Sequence, residues 1–106
     1  MVESDQKVLK VGIGGLGTVG LPVAQWLDEG PEEGLVLVAV SAGNRERASQ
    51  RMKGFRNPVP VVELTELADL CDVVVECAPP GHFLDIAEAT LKAGRILMPL
   101  SVTSLL

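Results

Sequence analysis

Basic residues are in the minority, with nine Lys and Arg against fourteen Asp and Glu, and the net charge is -5. A chain of that sign lacks the basic surface that general binding to nucleic acid or to an anionic membrane requires. No apolar run approaches the roughly 18 residues that a membrane-spanning helix needs. Residues Met1 to Lys7 are polar and acidic. They resemble neither a secretory signal nor an Arg-rich transit peptide, so a cytoplasmic location is expected. Cysteine is scarce as well. Cys71 and Cys77 are the only two, with His82 the only histidine, so a zinc site has too few ligands and no metal is expected. Both thiols read as free and buried, since a disulfide is not the habit of cytoplasmic proteins. His82 stands at a helix start without a predicted partner, which makes it a surface or capping residue rather than a catalytic base. No catalytic residue is assigned.

What the 106 residues do contain is 47% apolar and 22% charged, an ordinary globular balance for one domain. Residues 1–7 form a polar tail and residues 8–106 the folded domain. Apolar residues 8–14 predict a first strand, and residues 18–29 a helix that stops at Gly30 and Pro31. Leu35 to Val40 are six apolar residues in succession, as in a strand covered on both faces. Asn44 caps a helix over 45–53, Val59 to Val62 make a short third strand, and a brief helix over 63–70 carries Leu64, Leu67 and Leu70 on one face. Strand 73–77 is followed by a helix from about His82 to Ala93, with Phe83, Ile86, Ala87, Thr90 and Leu91 along one stripe, and by a fifth strand over 95–100. Regular alternation of strand and helix predicts a Rossmann-type α/β domain, a doubly wound parallel sheet of about five strands. Its ligand should lie beyond the carboxyl ends of the strands.

The first strand runs into Gly15-Leu-Gly-Thr-Val-Gly20, a Gly-x-Gly-x-x-Gly pattern in a strand-turn-helix context. Gly15 allows the tight turn, Gly17 lets backbone approach a diphosphate, and Gly20 lets the helix pack closely. The helix N-terminus then offers its free N–H groups to the anion. The competing register through Gly12, Gly14 and Gly17 would shorten the strand to four residues. NAD-binding sheets place an Asp or Glu at the end of the second strand to hold the adenosine ribose. Here the sequence is Ser41-Ala-Gly-Asn44, and Ala42 falls where the acid belongs, roughly 20 residues past the turn. Arg45 and Arg47 follow. The cofactor is therefore read as NADP or NAD, with Ser41, Asn44 and Arg45 nearest a ribose 2′-phosphate. Ala78-Pro-Pro-Gly81 is either a rigid turn bordering the nicotinamide ribose or a plain helix stop. Glu76, in an otherwise apolar strand, is taken as a carboxylate paired in the core.

Together, Val11 to Gly20, Leu37-Val-Ala-Val40, Asp72 to Pro79 and Leu97 to Ser104 resemble the N-terminal half of L-aspartate dehydrogenases. The resemblance implies oxidation of aspartate to iminoaspartate with NAD or NADP, the hydride moving from the substrate α-carbon to the nicotinamide. It implies that Gly15, Leu16, Gly17, Thr18, Val19 and Gly20 hold the pyrophosphate. Cys77, Ala78 and Pro79 would border the nicotinamide ribose, and Ser101, Val102 and Thr103 would approach the nicotinamide. In that family the catalytic histidine comes from a later substrate domain, which nothing here matches. The catalytic domain is thus expected to be absent from this chain, and a small amino-acid substrate to bind only with that second domain. Homoserine dehydrogenases share the same fold half, and a non-catalytic NAD(P)-sensing module fits the same residues. The oligomeric state is not written in the sequence, and a homodimer is one admissible assembly.

Overall fold

The computed structural model describes residues 8–17, 19–30, 33–77 and 80–100. Its elements are β1 (Leu9–Gly14), α1 (Gly20–Glu29), β2 (Leu35–Ser41), α2 (Arg45–Arg51), α3 (Leu64–Leu70), β3 (Val73–Glu76), a 3₁₀ turn (Pro80–His82), α4 (Phe83–Lys92) and β4 (Ile96–Pro99). The four strands are parallel in the order β2-β1-β3-β4. Strand order therefore reverses between β1 and β3, the switch point of a doubly wound sheet.

Each helix ends where local chemistry ends it. Gly30 takes the left-handed conformation at φ 67° and donates its N–H to the Leu27 carbonyl, closing α1. Asn44 Oδ1 accepts the Arg47 N–H at 2.9 Å and starts α2. Arg95 donates to the carbonyls of Ala68 and Asp69 near the end of α3, satisfying acceptors that the helix leaves open.

Two apolar layers flank the sheet. Val11, Ile13, Leu37, Val40, Val73 and Val75 face α1 and α2, where Ala24, Leu27, Ala48 and Met52 meet them. Ala39 and Val74 face the other side with Leu67, Cys71 and Ile86. The pairing of β2 skips a residue between Val11–Leu37 and Gly12–Ala39. This bulge resets the alternation, so that Val40 rejoins the face of Leu37 instead of opposing it. Uniformly apolar residues 35–40 carry no trace of that shift.

The expected third strand is reduced to one bridge. Val61 pairs with Val40; Val40 donates to the Pro60 carbonyl at 3.1 Å and Val62 to the Val40 carbonyl at 2.8 Å. Pro58 and Pro60 have no N–H to extend the ladder, so the segment lies beside β2 without joining the sheet. Leu70 and Leu91, expected on buried stripes, are 43% and 61% exposed near the ends of their helices. Ile96 and Met98 on the edge strand β4 are exposed as well.

Gly12 shows how tightly α3 sits on the sheet. A Cβ there would overlap Cys71 Sγ and lie 2.7 Å from Leu67 Cδ1. Gly12→Val is expected to destabilise the fold by about 1–3 kcal/mol through overpacking, read as a lower midpoint in urea unfolding with unchanged slope.

Candidate cofactor site at the switch point

Three backbone hydrogen bonds gather the strand ends. Gly15 donates to the Ser41 carbonyl at 2.8 Å, Cys77 to the Gly14 carbonyl at 2.9 Å, and Leu100 to the Glu76 carbonyl at 2.9 Å. The glycine turn, the end of β2 and the end of β3 thus form one surface.

The three motif glycines differ in their surroundings. Gly15 turns the chain at φ 102°, which a side chain would resist. Gly20 is buried, and a Cβ on it would collide with the Gly15 carbonyl oxygen and approach Ile13 Cγ2 at 3.2 Å. Gly17 has nothing within 4 Å of its Cβ position, so its backbone is open to a ligand. No side chain caps the start of α1. In its first turn Leu21 already donates to the Gly17 carbonyl and Pro22 has no N–H, so the Gly20 N–H, without a partner among the described residues, is the donor this turn offers an anion. These features fit a dinucleotide diphosphate.

Two clefts meet at the turn. The first, of about 470 Å³, runs from Gly15, Leu16, Gly17 and Val19 across Ala42, Gly43 and Asn44 to Arg47, Ala48 and Arg51, with Cys77 at its end. The second, of about 410 Å³, shares Gly15, Ala42 and Gly43 and is bounded by Ser41, Val62, Glu63, Leu64, His82 and Ile86. Of the residues selected from sequence, Gly15, Leu16, Gly17, Val19, Ala42, Asn44 and Cys77 line the first cleft and Ser41 the second, while Gly20 is buried behind the turn. Thr18, Ala78, Pro79, Ser101, Val102 and Thr103 lie outside the described residues.

Arg45 lines neither cleft. Its guanidinium donates to Glu63 Oε2 at 3.0 Å. Arg47 and Arg51, not selected as site residues from sequence, line the first cleft instead, and Arg51 donates to the Leu16 carbonyl in the turn at 3.1 Å. Helical spacing could have found Arg51, since buried Ala48 fixes the inward face of α2 and Arg51 falls on it at i+3; the same rule does not separate Arg47, at i-1, from Arg45, at i-3. His82 precedes α4 and is exposed, with no side-chain capping bond. Glu76 is completely buried and lines neither cleft. Among the described residues no group of His, Cys, Asp and Glu could hold a metal ion, and no helix is long and apolar enough to cross a membrane.

Residues 15–106 match the family described as the NAD-binding domain of homoserine dehydrogenase. This chain belongs to that family. As an NAD-binding domain it is also similar to L-aspartate dehydrogenases. It is 38% identical to that of Bradyrhizobium diazoefficiens over 98 residues, covering 92% of this chain and 34% of the relative. With L-aspartate dehydrogenase 3 of Bordetella bronchiseptica it shares 38% over 103 residues, covering 97% and 38%. The chain spans about a third of the length of these relatives. Among solved structures, myo-inositol dehydrogenase of Lactobacillus casei in complex with NAD(H) and myo-inositol superposes with a TM-score of 0.76 at 23% identity, over 87% of this chain and 28% of that one. UDP-N-acetylglucosamine 3-dehydrogenase of Acidithiobacillus ferrooxidans gives 0.72 at 23% identity, over 86% and 28%. These likenesses show the fold, a Rossmann-type parallel sheet.

The glycines predict separable effects. Gly20→Ala gains about 1 kcal/mol of helix propensity, yet the collision with the Gly15 carbonyl outweighs it at about 1–3 kcal/mol, so both stability and dinucleotide binding should fall. Gly17→Ala enters open space and should leave stability within about 0.5 kcal/mol while weakening the dinucleotide; thermal unfolding and calorimetry on both variants check the pair. Burial, with a smaller contribution from Glu76, pushes the Cys77 thiol from the usual 9.0 up to about 11, and burial with Asp72 does the same for Cys71. At pH 8 the folded chain should therefore react with a thiol reagent roughly 100-fold more slowly than the unfolded chain. The folded state also retains thiol protons that the unfolded state has released, so the stability these groups confer is complete below about pH 9 and is lost as pH rises to about 11.

Proposed function

We propose that this chain is the cofactor-binding domain of an L-aspartate dehydrogenase-like oxidoreductase. The observation that carries this is the glycine turn at the switch point, with an open Gly17 face and an uncapped α1 start, in a chain 38% identical to two L-aspartate dehydrogenases. When bound, the nicotinamide supplies a hydride acceptor. The residues of this domain bind and orient. The turn from Gly15 to Gly20, including Leu16, Thr18 and Val19, takes the diphosphate, and its shape is held by the Gly15–Ser41 and Arg51–Leu16 hydrogen bonds. Cys77, Ala78 and Pro79 border the nicotinamide ribose, with Ser101, Val102 and Thr103 towards the ring. A neutral thiol at Cys77 is compatible with that place, because it adds no negative charge beside a diphosphate. The amino-acid substrate and the group that moves its proton belong, in this reading, to a second domain. The setting is a cytoplasmic enzyme drawing on the free nicotinamide pool, and a homodimer is compatible with it.

NADH or NADPH at a hundred times its Kd should stabilise the domain by about 2.7 kcal/mol, a rise in Tm of roughly 10 °C or more for a domain of this size. Absence of any rise with both would overturn the cofactor reading. In the complete gene product, L-aspartate should drive reduction of NAD+ or NADP+ in preference to L-homoserine. Dinucleotide binding with no amino-acid-dependent reduction would instead favour a sensing module.

A further inference from the structure

Resting on the reading of this site as a dinucleotide site, we infer that it selects a 2′-phosphorylated adenosine, so that NADP is preferred over NAD, and that Arg47 reads the phosphate. With the diphosphate at the turn, the adenosine ribose lies next to it, towards the end of β2, where its 2′-oxygen is the atom that Rossmann sheets read. No acidic residue lines the first cleft there. A carboxylate at that position would repel a phosphate; Ala42, Gly43 and Asn44 do not.

The positive charge is placed by the helix. Arg47 and Arg51 stand one turn apart on α2, both on the first cleft. Like charges at that spacing disfavour the helix, and a bound dianion between them removes the repulsion. Arg47 forms no salt bridge among the described residues and is exposed, so its guanidinium is available for a charge-assisted, two-pronged contact with phosphate. Arg45 lines neither cleft and lies against Glu63 instead. Arg51 commits one donor to the Leu16 carbonyl. It is a positioning residue that ties the phosphate-reading helix to the diphosphate turn, and it adds a second positive charge behind Arg47. The second cleft, walled by Val62, Leu64 and Ile86, is left for the adenine ring.

Calorimetric titrations with NADP+, NAD+ and 2′,5′-ADP at low ionic strength test this. NADP+ should bind roughly 10- to 100-fold more tightly than NAD+, the range set by one charged hydrogen-bonded contact. Arg47→Gln should bring the ratio close to one by weakening NADP+ alone, and should abolish competition by 2′,5′-ADP. Arg51→Gln should weaken both dinucleotides, because the turn loses its strut. Lys92→Gln, on α4 and paired with Glu88, controls for loss of charge in general and should change neither. Equal or tighter binding of NAD+, or an unchanged ratio in Arg47→Gln, overturns the inference while leaving the dinucleotide site standing. Loss of the ratio in Arg45→Gln but not in Arg47→Gln overturns the assignment to Arg47. If neither dinucleotide binds the unsubstituted chain, the parent reading fails and this one with it.

Discussion

The contact on which the site depends is the approach of helix α1 to the carbonyl of Gly15. Any Cβ at Gly20 would occupy that oxygen's place. Because it is absent, the helix can begin directly on the turn, with its N-terminus beside the backbone that Gly17 leaves clear. A helix displaced by even one methyl group would carry its N-terminus away from the strand ends. The positive end of its dipole would then no longer converge with the surface that β2 and β3 provide.

That surface is assembled by backbone rather than by side chains. Gly15 reaches β2 through the Ser41 carbonyl, and Cys77 reaches β1 through the Gly14 carbonyl. Bonds of this kind tolerate changes of residue type, whereas the shape of the turn does not. It follows that the glycines are the restrictive positions and that the residues around them are free to set specificity. The bulge in β2 contributes here as well. By shifting the alternation before Ala39, it precedes the placement of Ser41 on the second cleft and of Ala42 on both.

Much of this was legible in the sequence because it rests on local rules. Gly30 and Asn44 mark helix ends through their own backbone and side-chain chemistry, and both act as expected. The alternation of strands and helices specifies a parallel doubly wound sheet without reference to any contact. Other features depend on information that the local pattern does not hold. Six apolar residues in a row give no phase by which to detect a bulge. Val59 to Val62 look like a strand in composition, but proline N–H groups are missing where the ladder would need them, and only the Val61 bridge survives. Leu70 and Leu91 keep helical spacing yet lie where their helices run out of neighbouring surface.

The arginines of α2 show why proximity in sequence is a poor guide to a charged site. Arg45 is nearest the end of β2 along the chain, and on that ground alone it is the natural partner for a ribose phosphate. In the fold its side chain is held by Glu63, eighteen positions away, and a residue so engaged must break an ion pair before it can take another anion. Exposed pairs of that kind contribute little to stability, on the order of 1 kcal/mol or less, so the pairing matters mainly for where the charge is held. The cleft is lined instead by Arg47 and Arg51, which stand one turn apart on α2. Which cations meet the ligand is thus set by tertiary placement, the tie of Arg51 to the Leu16 carbonyl and the pairing of Arg45 with Glu63, and the charge pattern alone does not contain that decision.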